Sequence, residues 1–526
     1  MKKKIVLISI IIALIVVSVI FIIGTYADPE VLNDSYPITL TGNTSVTVPA
    51  GSMKKIIYQI KNTNNGTVNY GIGYSSQSND VAVKAYSNST DAASGTIASN
   101  NYKNVTLAVI NNSSASAAIT LSTILGYENG GNLIVPSGTT LVTQEVHIAA
   151  DYITNLYTDA TKSTATVNSI TYNLAPSVNL MDDRLASSST PANTVGNIRY
   201  YGANPNNYVW LGDTYTSDYT IPGNITLDEY ADQEACINDG NSEAYCTEGI
   251  VRHTGDRKLW RVIGVFNGRV KVVTADPIST QGLSWDTSAN EAGGNSGWGI
   301  NQWGPSGSYE GSDLMRLLNE GYTGTNGSLY WNKTAGTVYK GYNNATTANV
   351  SFANTGLLAT EKALIDTATW YTGAYDQFSY VDAHYTAERG NMGKICSGGN
   401  RCNDEVTRTS TWTGKVGIIY PSDYGYAANL AQCNQELDAY NSTGCVDTNW
   451  LKPSSGYSRT MSPRARSDDA SRVFRVSHDG SLDYGNAGST GNDSWVWPAV
   501  HLKPNVIIDT NSNDGSEQYP YVLMLN

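Results

Sequence analysis

Residues 259–274 read Leu259-Trp260-Arg261-Val262-Ile263-Gly264-Val265-Phe266, then Asn267-Gly268, then Arg269-Val270-Lys271-Val272-Val273-Thr274. β-Branched and aromatic residues fill both arms, and Asn-Gly supplies two adjacent positions that tolerate positive φ, as a type I′ turn requires. The stretch therefore predicts a hairpin. Downstream, Ser312 can cap a helix whose Leu314, Leu317 and Leu318 share a face, and Thr360 can cap a second, with Ala363, Leu364, Thr367, Ala368 and Tyr371 as its apolar stripe before Gly373. Short strand candidates follow at 416–420, 472–477, 495–502 and 521–525. Two helices among many short strands predict an α+β domain over residues 198–526.

Composition divides what lies upstream. All eleven Trp lie from Trp210 onward and all six Cys from Cys236 onward, whereas residues 28–175 have neither and are dense in Ser, Thr and Asn. Strand-like runs at 45–48, 55–60, 68–74, 105–110 and 118–125, separated by turn signals such as Asn64-Asn65-Gly66, predict an all-β, immunoglobulin-like sandwich serving as a stalk. Residues 176–197, with Ser187-Ser188-Ser189-Thr190-Pro191, have the composition of a linker.

Residues 1–27 carry an export pattern. Lys2, Lys3 and Lys4 precede an uncharged run over 5–24, and Thr25-Tyr26-Ala27 places small residues at the −3 and −1 positions of a cleavage site. Twenty residues of helix span about 30 Å, enough to cross a bilayer. An N-terminal membrane helix and a cleaved signal peptide both fit, and both put the rest of the chain on the extracellular face of the cytoplasmic membrane or in the medium.

Only 15% of the 526 residues are charged, with a net charge of −13, while 11 Trp and 35 Tyr supply large buriable surfaces. This excludes an intrinsically disordered chain and makes nucleic acid and anionic lipid surfaces poor partners, so the membrane is contacted through the N-terminal helix only. The cysteines fall as three close couples. Fifteen pairings are formally possible, and Cys236–Cys246, Cys396–Cys402 and Cys433–Cys445 are the economical choice, each closing a short loop in an oxidising compartment. Neither a Cys-x-x-Cys element nor a His at ligand spacing supports zinc.

Catalytic signatures are missing. There is no Gly-x-Ser-x-Gly elbow, no His-Glu-x-x-His and no phosphate-binding Gly-rich loop. His147, His253, His384, His478 and His501 are scattered singly, and acids such as Glu361, Asp376, Asp382 and Glu388, which lie within one stretch, are candidates for a glycosidase pair, although with 46 acids neighbouring pairs arise by chance and a solvated surface is the expectation. The run from Asp509 to Gly515 alternates oxygen side chains as a calcium loop does, but it lacks an EF-hand's Gly and Glu positions and reads as a β-turn. Calcium elsewhere in the loops stays open, and no cofactor is called for. Arg464, Arg466, Asp468, Asp469, Arg472 and Arg475 form a mixed charge cluster expected on a solvated face. The aromatic, Gly-rich run with Trp285, Trp298, Trp303 and Tyr309 is the candidate binding loop, since flat rings stack on sugars, although Trp also fills cores.

Several segments carry a family resemblance: NIRYYGANPNNY at 197–208, LWRVIGVF at 259–266, GWGINQWG at 297–304 with SDLMRLLN at 312–319, GIIYPSDYGYA at 417–427, WPAVHLKP at 497–504, and the ending from Gly515 to Val522. Over residues 180–526 the chain resembles surface proteins of Gram-positive gut bacteria that carry a domain of unknown function. The terminal pattern is similar to the C-type-lectin and formylglycine-generating-enzyme fold, which implies such a fold for the head. Members often carry an additional Cys pair where this chain has Val338 and Asn349. The formylglycine chemistry depends on cysteines that do not map onto this chain's couples and is not carried over.

The expectation is thus a non-enzymatic surface protein that displays a head for adhesion or for recognition of a surface glycan or protein ligand. An exported hydrolase of polysaccharide or peptide, and a structural component of the envelope, are the rival expectations.

Overall fold

The computed structural model describes residues 38–526 except 43–44, 77–80, 87–92, 112, 114, 130–131, 135–139, 142–144, 184–195, 216, 222–231, 241–245, 247–248, 280–281, 288–298, 321–328, 334, 340–346, 391–408, 466–470, 489–493 and 511–512. The described chain forms two compact units. The first comprises the residues up to Ile148 with Ile507–Asn511 and Met524–Asn526, and the second comprises Ala149–Val506 with Ser512–Leu523.

In the first unit Ile38–Thr41, Met53–Asn62, Tyr102–Asn111 and Val81–Tyr86 pair antiparallel in that order, Glu145–Ile148 joins parallel to Val81–Tyr86, and residues 507–509 pair antiparallel to Glu145–Ile148. A second sheet runs Thr140–Leu141, Val68–Ser76, Ala117–Asn129, Ser45–Val48, with Ser94–Ile97 and Asn132–Ile134 on its flanks. Alternate residues of each sheet, among them Ile56, Tyr58, Ile60, Tyr70, Ile72, Val105, Leu107 and Leu121, meet in one core, which is the period-2 logic of strands with one buried face. Two fully buried asparagines close the strand ends. Asn62 donates to the carbonyls of Gly66 (2.8 Å) and Ile97 (3.0 Å), and Asn111 to those of Val48 (3.0 Å) and Ala115 (2.8 Å).

The second unit is built around Arg257–Phe266 and Arg269–Thr274, the hairpin expected from Asn267-Gly268, whose φ values are 50° and 73°. Its sheet runs from residues 521–523 through Tyr208–Thr214, Arg257–Phe266, Ile198–Tyr200, Leu180–Asp182 and Ile170–Ala175 to Ser163–Val167. Arg269–Thr274 continues to Pro498–His501 and Val416–Ile418. A smaller sheet holds Tyr457–Pro463, Arg472–Ser477, Leu482–Asn486 and Ser494–Trp495.

Several expectations are corrected. The α+β class with an N-terminal membrane helix and a C-type-lectin-like head gives way to a mostly β architecture: strands hold 44% of the described residues and helices 17%. The eight α-helices among the described residues are short, the longest being the eleven residues Ala149–Asp159, because stretches that could extend them are rich in Thr, Tyr, Trp and Gly, which favour strands or turns. Among the described residues no helix is long and apolar enough to cross a membrane, and the expected membrane helix over 5–24 lies outside them.

The units divide at 148/149 rather than at 175. Ala149–Asp159 buries Ala149, Ala150, Ile153 and Tyr157 on one helical face within a segment read as all-β. Residues 176–183, assigned to the linker, include a 3₁₀ turn and the paired strand Leu180–Asp182, while 184–195 lie outside the described residues. The helix capped by Ser312 is present as Asp313–Leu318, with Ser312 accepting from the Met315 amide. The helix expected from Thr360 stops at Leu364, and Ala368–Tyr371 is a strand paired with Thr411–Gly414.

Candidate functional site

Among the described residues the aromatic run does not form an open binding face. Trp285 and Trp303 have no exposed surface. Their rings pack edge to face at 5.4 Å, and Trp303 meets Trp412 at 6.1 Å. Trp285 Nε1 donates to the Thr460 carbonyl at 3.2 Å. Burial of such large rings removes more apolar area from water than any surface contact would, so the core claims them. Tyr309 is half-buried and donates to the Gln302 carbonyl at 3.0 Å, and Trp298 lies outside the described residues.

The acids have separate partners. Glu361 is buried against Lys258 at 2.8 Å and accepts from the Leu358 amide at 2.9 Å. Asp382 and Glu388 stand six residues apart on the helix Val381–Arg389, about 9 Å of rise. In the charge cluster, Arg475 pairs with Asp483 at 2.7 Å and Arg464 stacks on Tyr484 at 3.7 Å, while Arg466, Asp468 and Asp469 lie outside the described residues. Asp514 and Gly515 donate their amides to the Tyr519 carbonyl, closing a turn. Among the described residues no group of three or more His, Cys, Asp or Glu could hold a metal ion. The disulfides Cys236–Cys246 and Cys433–Cys445 are formed, and Cys396–Cys402 lies outside the described residues.

A cavity of about 390 Å³ opens instead at the turn end of the central hairpin. The hairpin contributes Phe266, Asn267, Arg269 and Lys271, the strand Ala368–Tyr371 contributes Thr369 and Tyr371, and the helix Val381–Arg389 contributes Tyr385 and Arg389. Asn197, Ala368, Tyr420 and His501 complete the wall, and no carboxylate among the described residues lines it.

Carboxylates lie behind the wall. Arg269 Nε donates to Asp366 at 2.8 Å. The Lys271 ammonium bonds to Asp423, whose other oxygen accepts from Arg199 Nη1 at 2.8 Å, and Arg199 Nε donates to Asp183. Burial works against ionisation of Asp423, but Lys271 and Arg199 overcome it and hold the carboxyl near 2. The cations of Arg269 and Lys271 are therefore neutralised from behind.

Arg389 differs. Its guanidinium lies over the rings of Tyr385 (3.5 Å) and Tyr371 (4.7 Å), and only Nη1 is bonded, to the Tyr385 carbonyl at 3.0 Å and Glu388 at 3.2 Å. Nε and Nη2 have no hydrogen-bond partner among the described residues. Burial pushes Glu388 up to about 7, with Asp423 adding to the rise while Arg389 and Ser422 oppose it. The Tyr385 hydroxyl accepts from Asn197 Nδ2 at 3.0 Å and the Tyr420 hydroxyl from the Tyr371 amide at 2.7 Å, so each keeps its own proton to donate. His501 sits edge-on to Trp370 at 5.0 Å, and burial, aided by Lys271, lowers it to about 3, which keeps its imidazole neutral.

A second pocket of about 210 Å³ includes Tyr208, Arg252, Arg261, Trp450 and Trp497. There Arg252 is held by Asp276 and Glu517, and Arg261, between the rings of Tyr208 (4.2 Å) and Trp450 (4.4 Å), donates to Asn207 at 2.9 Å.

Only fragments of the hairpin-end site are legible in the sequence. Tyr420 and His501 fall within segments that carry the family resemblance, while no motif marks Arg389, Tyr371 or Tyr385. One local signal exists: Tyr385 and Arg389 stand at i, i+4 and share a helical face. No family model matches the sequence, and no curated protein matches it.

Proposed function

We propose that this chain is an exported binding protein whose second unit recognises a polyhydroxylated ligand, a glycan, in the hairpin-end pocket without covalent chemistry. The observation that carries this reading is the wall itself: tyrosine rings and hydroxyls, two asparagines, a threonine, a neutral histidine and three cations, with no carboxylate among them. Sugars take such surroundings, since C–H faces stack on aromatic rings while hydroxyls exchange hydrogen bonds with rigid polar groups. Export is supported by the two short-loop disulfides, which persist in oxidising compartments, and it agrees with the surface-protein family the chain resembles.

Purified protein on a glycan array tests the reading. Binding to a defined set of glycans is expected, with a loss of about tenfold or more in Tyr385→Ala, which removes both a ring and a hydroxyl. Folded protein that retains no glycan would count against it. Glycoside hydrolysis draws its support from Glu388, which burial pushes up to about 7, but that chemistry also needs a second carboxylate about 5–9 Å away across the substrate. Release of reducing ends from a bound glycan, abolished in Glu388→Gln, would favour hydrolysis over binding.

A further inference from the structure

We infer that the ligand of the hairpin-end pocket carries a carboxylate, as an acidic sugar does, and that Arg389 receives it through Nε and Nη2. This rests on the binding role proposed above and adds the ligand's chemical class.

Three observations converge on it. The first is supply of donors: the Arg389 guanidinium lies over two tyrosine rings, with Nη1 bonded and the Nε–Nη2 edge of its planar fork open among the described residues. A guanidinium edge presents two parallel N–H groups at the spacing of carboxylate oxygens, so an immobilised and half-used fork is a preorganised carboxylate receptor. The second is charge. Arg269 is offset by Asp366 and Lys271 by Asp423, whereas among the described residues Arg389 meets only Glu388, at 3.2 Å through Nη1, a carboxyl whose burial raises its pKa and so weakens it as a counter-charge. One such cation suits a monoanion, and a doubly charged phosphate would leave a charge unmatched in a partly desolvated cavity. The third is the surroundings. The Tyr385 and Tyr420 hydroxyls each retain a proton to donate, and His501 is a neutral ring whose nitrogens have no hydrogen-bond partner among the described residues. These groups suit the hydroxyls of a sugar ring beside its carboxylate.

Calorimetric titration of the intact purified chain with three probes tests the inference: methyl glucuronide, methyl glucoside and glucose 6-sulfate. The glucuronide is expected to bind about tenfold or more tighter than the glucoside, the worth of a charge-assisted bidentate contact. Arg389→Lys, which keeps the charge but not the fork, is expected to erase that preference, with circular dichroism and thermal unfolding of the variant showing that it is folded. Equal affinity for glucuronide and glucoside, or a preference that survives Arg389→Lys, overturns the carboxylate assignment and leaves the glycan-binding role standing. Sulfate binding as tight as carboxylate overturns it as well. Failure of all three probes, with array-positive neutral glycans still bound and still sensitive to Tyr385→Ala, again removes only this inference. Failure of every glycan removes both.

Discussion

His384 is 1% exposed, set edge-on between Tyr375 at 5.1 Å and Phe474 at 5.2 Å, with Nε2 lacking any hydrogen-bond partner among the described residues. Burial alone pushes its pKa down to about 3, whereas in the unfolded chain it lies near 6.5. The unfolded state therefore takes up a proton that the folded state refuses, so the stability owed to the neutral ring is complete above pH 6.5 and drains away as the pH falls toward 3. His384→Phe is expected to flatten this loss, gaining about 2 kcal/mol over the parent at pH 5 relative to pH 7.5. Thermal unfolding of both proteins across pH 4–8 checks it, and parallel curves would refute the argument. The sequence displays five isolated histidines without the rings and carbonyls around them, and titration behaviour resides in those surroundings. Trp285 and Trp303 teach the same lesson with the opposite sign, since Gly-rich neighbours suggest access while packing against Trp412 consumes both rings.

At the scale of elements, the hairpin is legible because its determinants are local: β-branched arms and an Asn-Gly turn are complete within sixteen residues. The helix expected from Thr360 fails for a reason equally physical. Its proposed stripe ends in Ala-Thr-Trp-Tyr, residues that suit a strand, and Thr411–Gly414 lies some forty positions away where no local pattern reveals it. Two hairpin glycines separate these kinds of constraint. Gly268 has φ +73°, and nothing lies within 4 Å of the place a Cβ would take, so Gly268→Ala is expected to cost about 1 kcal/mol from backbone conformation alone. At Gly264 a methyl group would sit 2.1 Å from the Ile198 carbonyl oxygen of the paired strand. That oxygen belongs to backbone and cannot rotate away, so Gly264→Ala is expected to cost about 2–3 kcal/mol through overpacking. Denaturant titrations followed by Trp fluorescence rank the pair, and equal losses would show that the strands part freely at that point.

Over the whole molecule, the least legible feature is the return of the chain. Residues 507–509 pair with Glu145–Ile148 in the first unit, although more than 350 residues of the second unit intervene. Composition marks a boundary where residue types change, but strand pairing follows register and hydrogen bonding, which a one-dimensional pattern does not encode. Asp509, which the sequence places at the start of a turn, instead meets Lys84, and both side chains are largely buried. Removing one member of such a pair strands the other charge in a poor solvent, so Asp509→Asn is expected to destabilise the first unit by about 3 kcal/mol. The absence of Trp before residue 210 makes the readouts separable: hydrogen exchange in Val81–Tyr86 and Tyr102–Asn111 reports on the first unit, and Trp fluorescence reports on the second. Faster exchange in those strands is expected in Asp509→Asn, with much of the protection regained in Lys84→Met/Asp509→Leu, because a well-packed apolar pair avoids the desolvation that the ion pair must offset. Unchanged exchange in the single variant would mean that the ammonium of Lys84 reaches water without its partner, and that the returning segment is held by its backbone ladder alone.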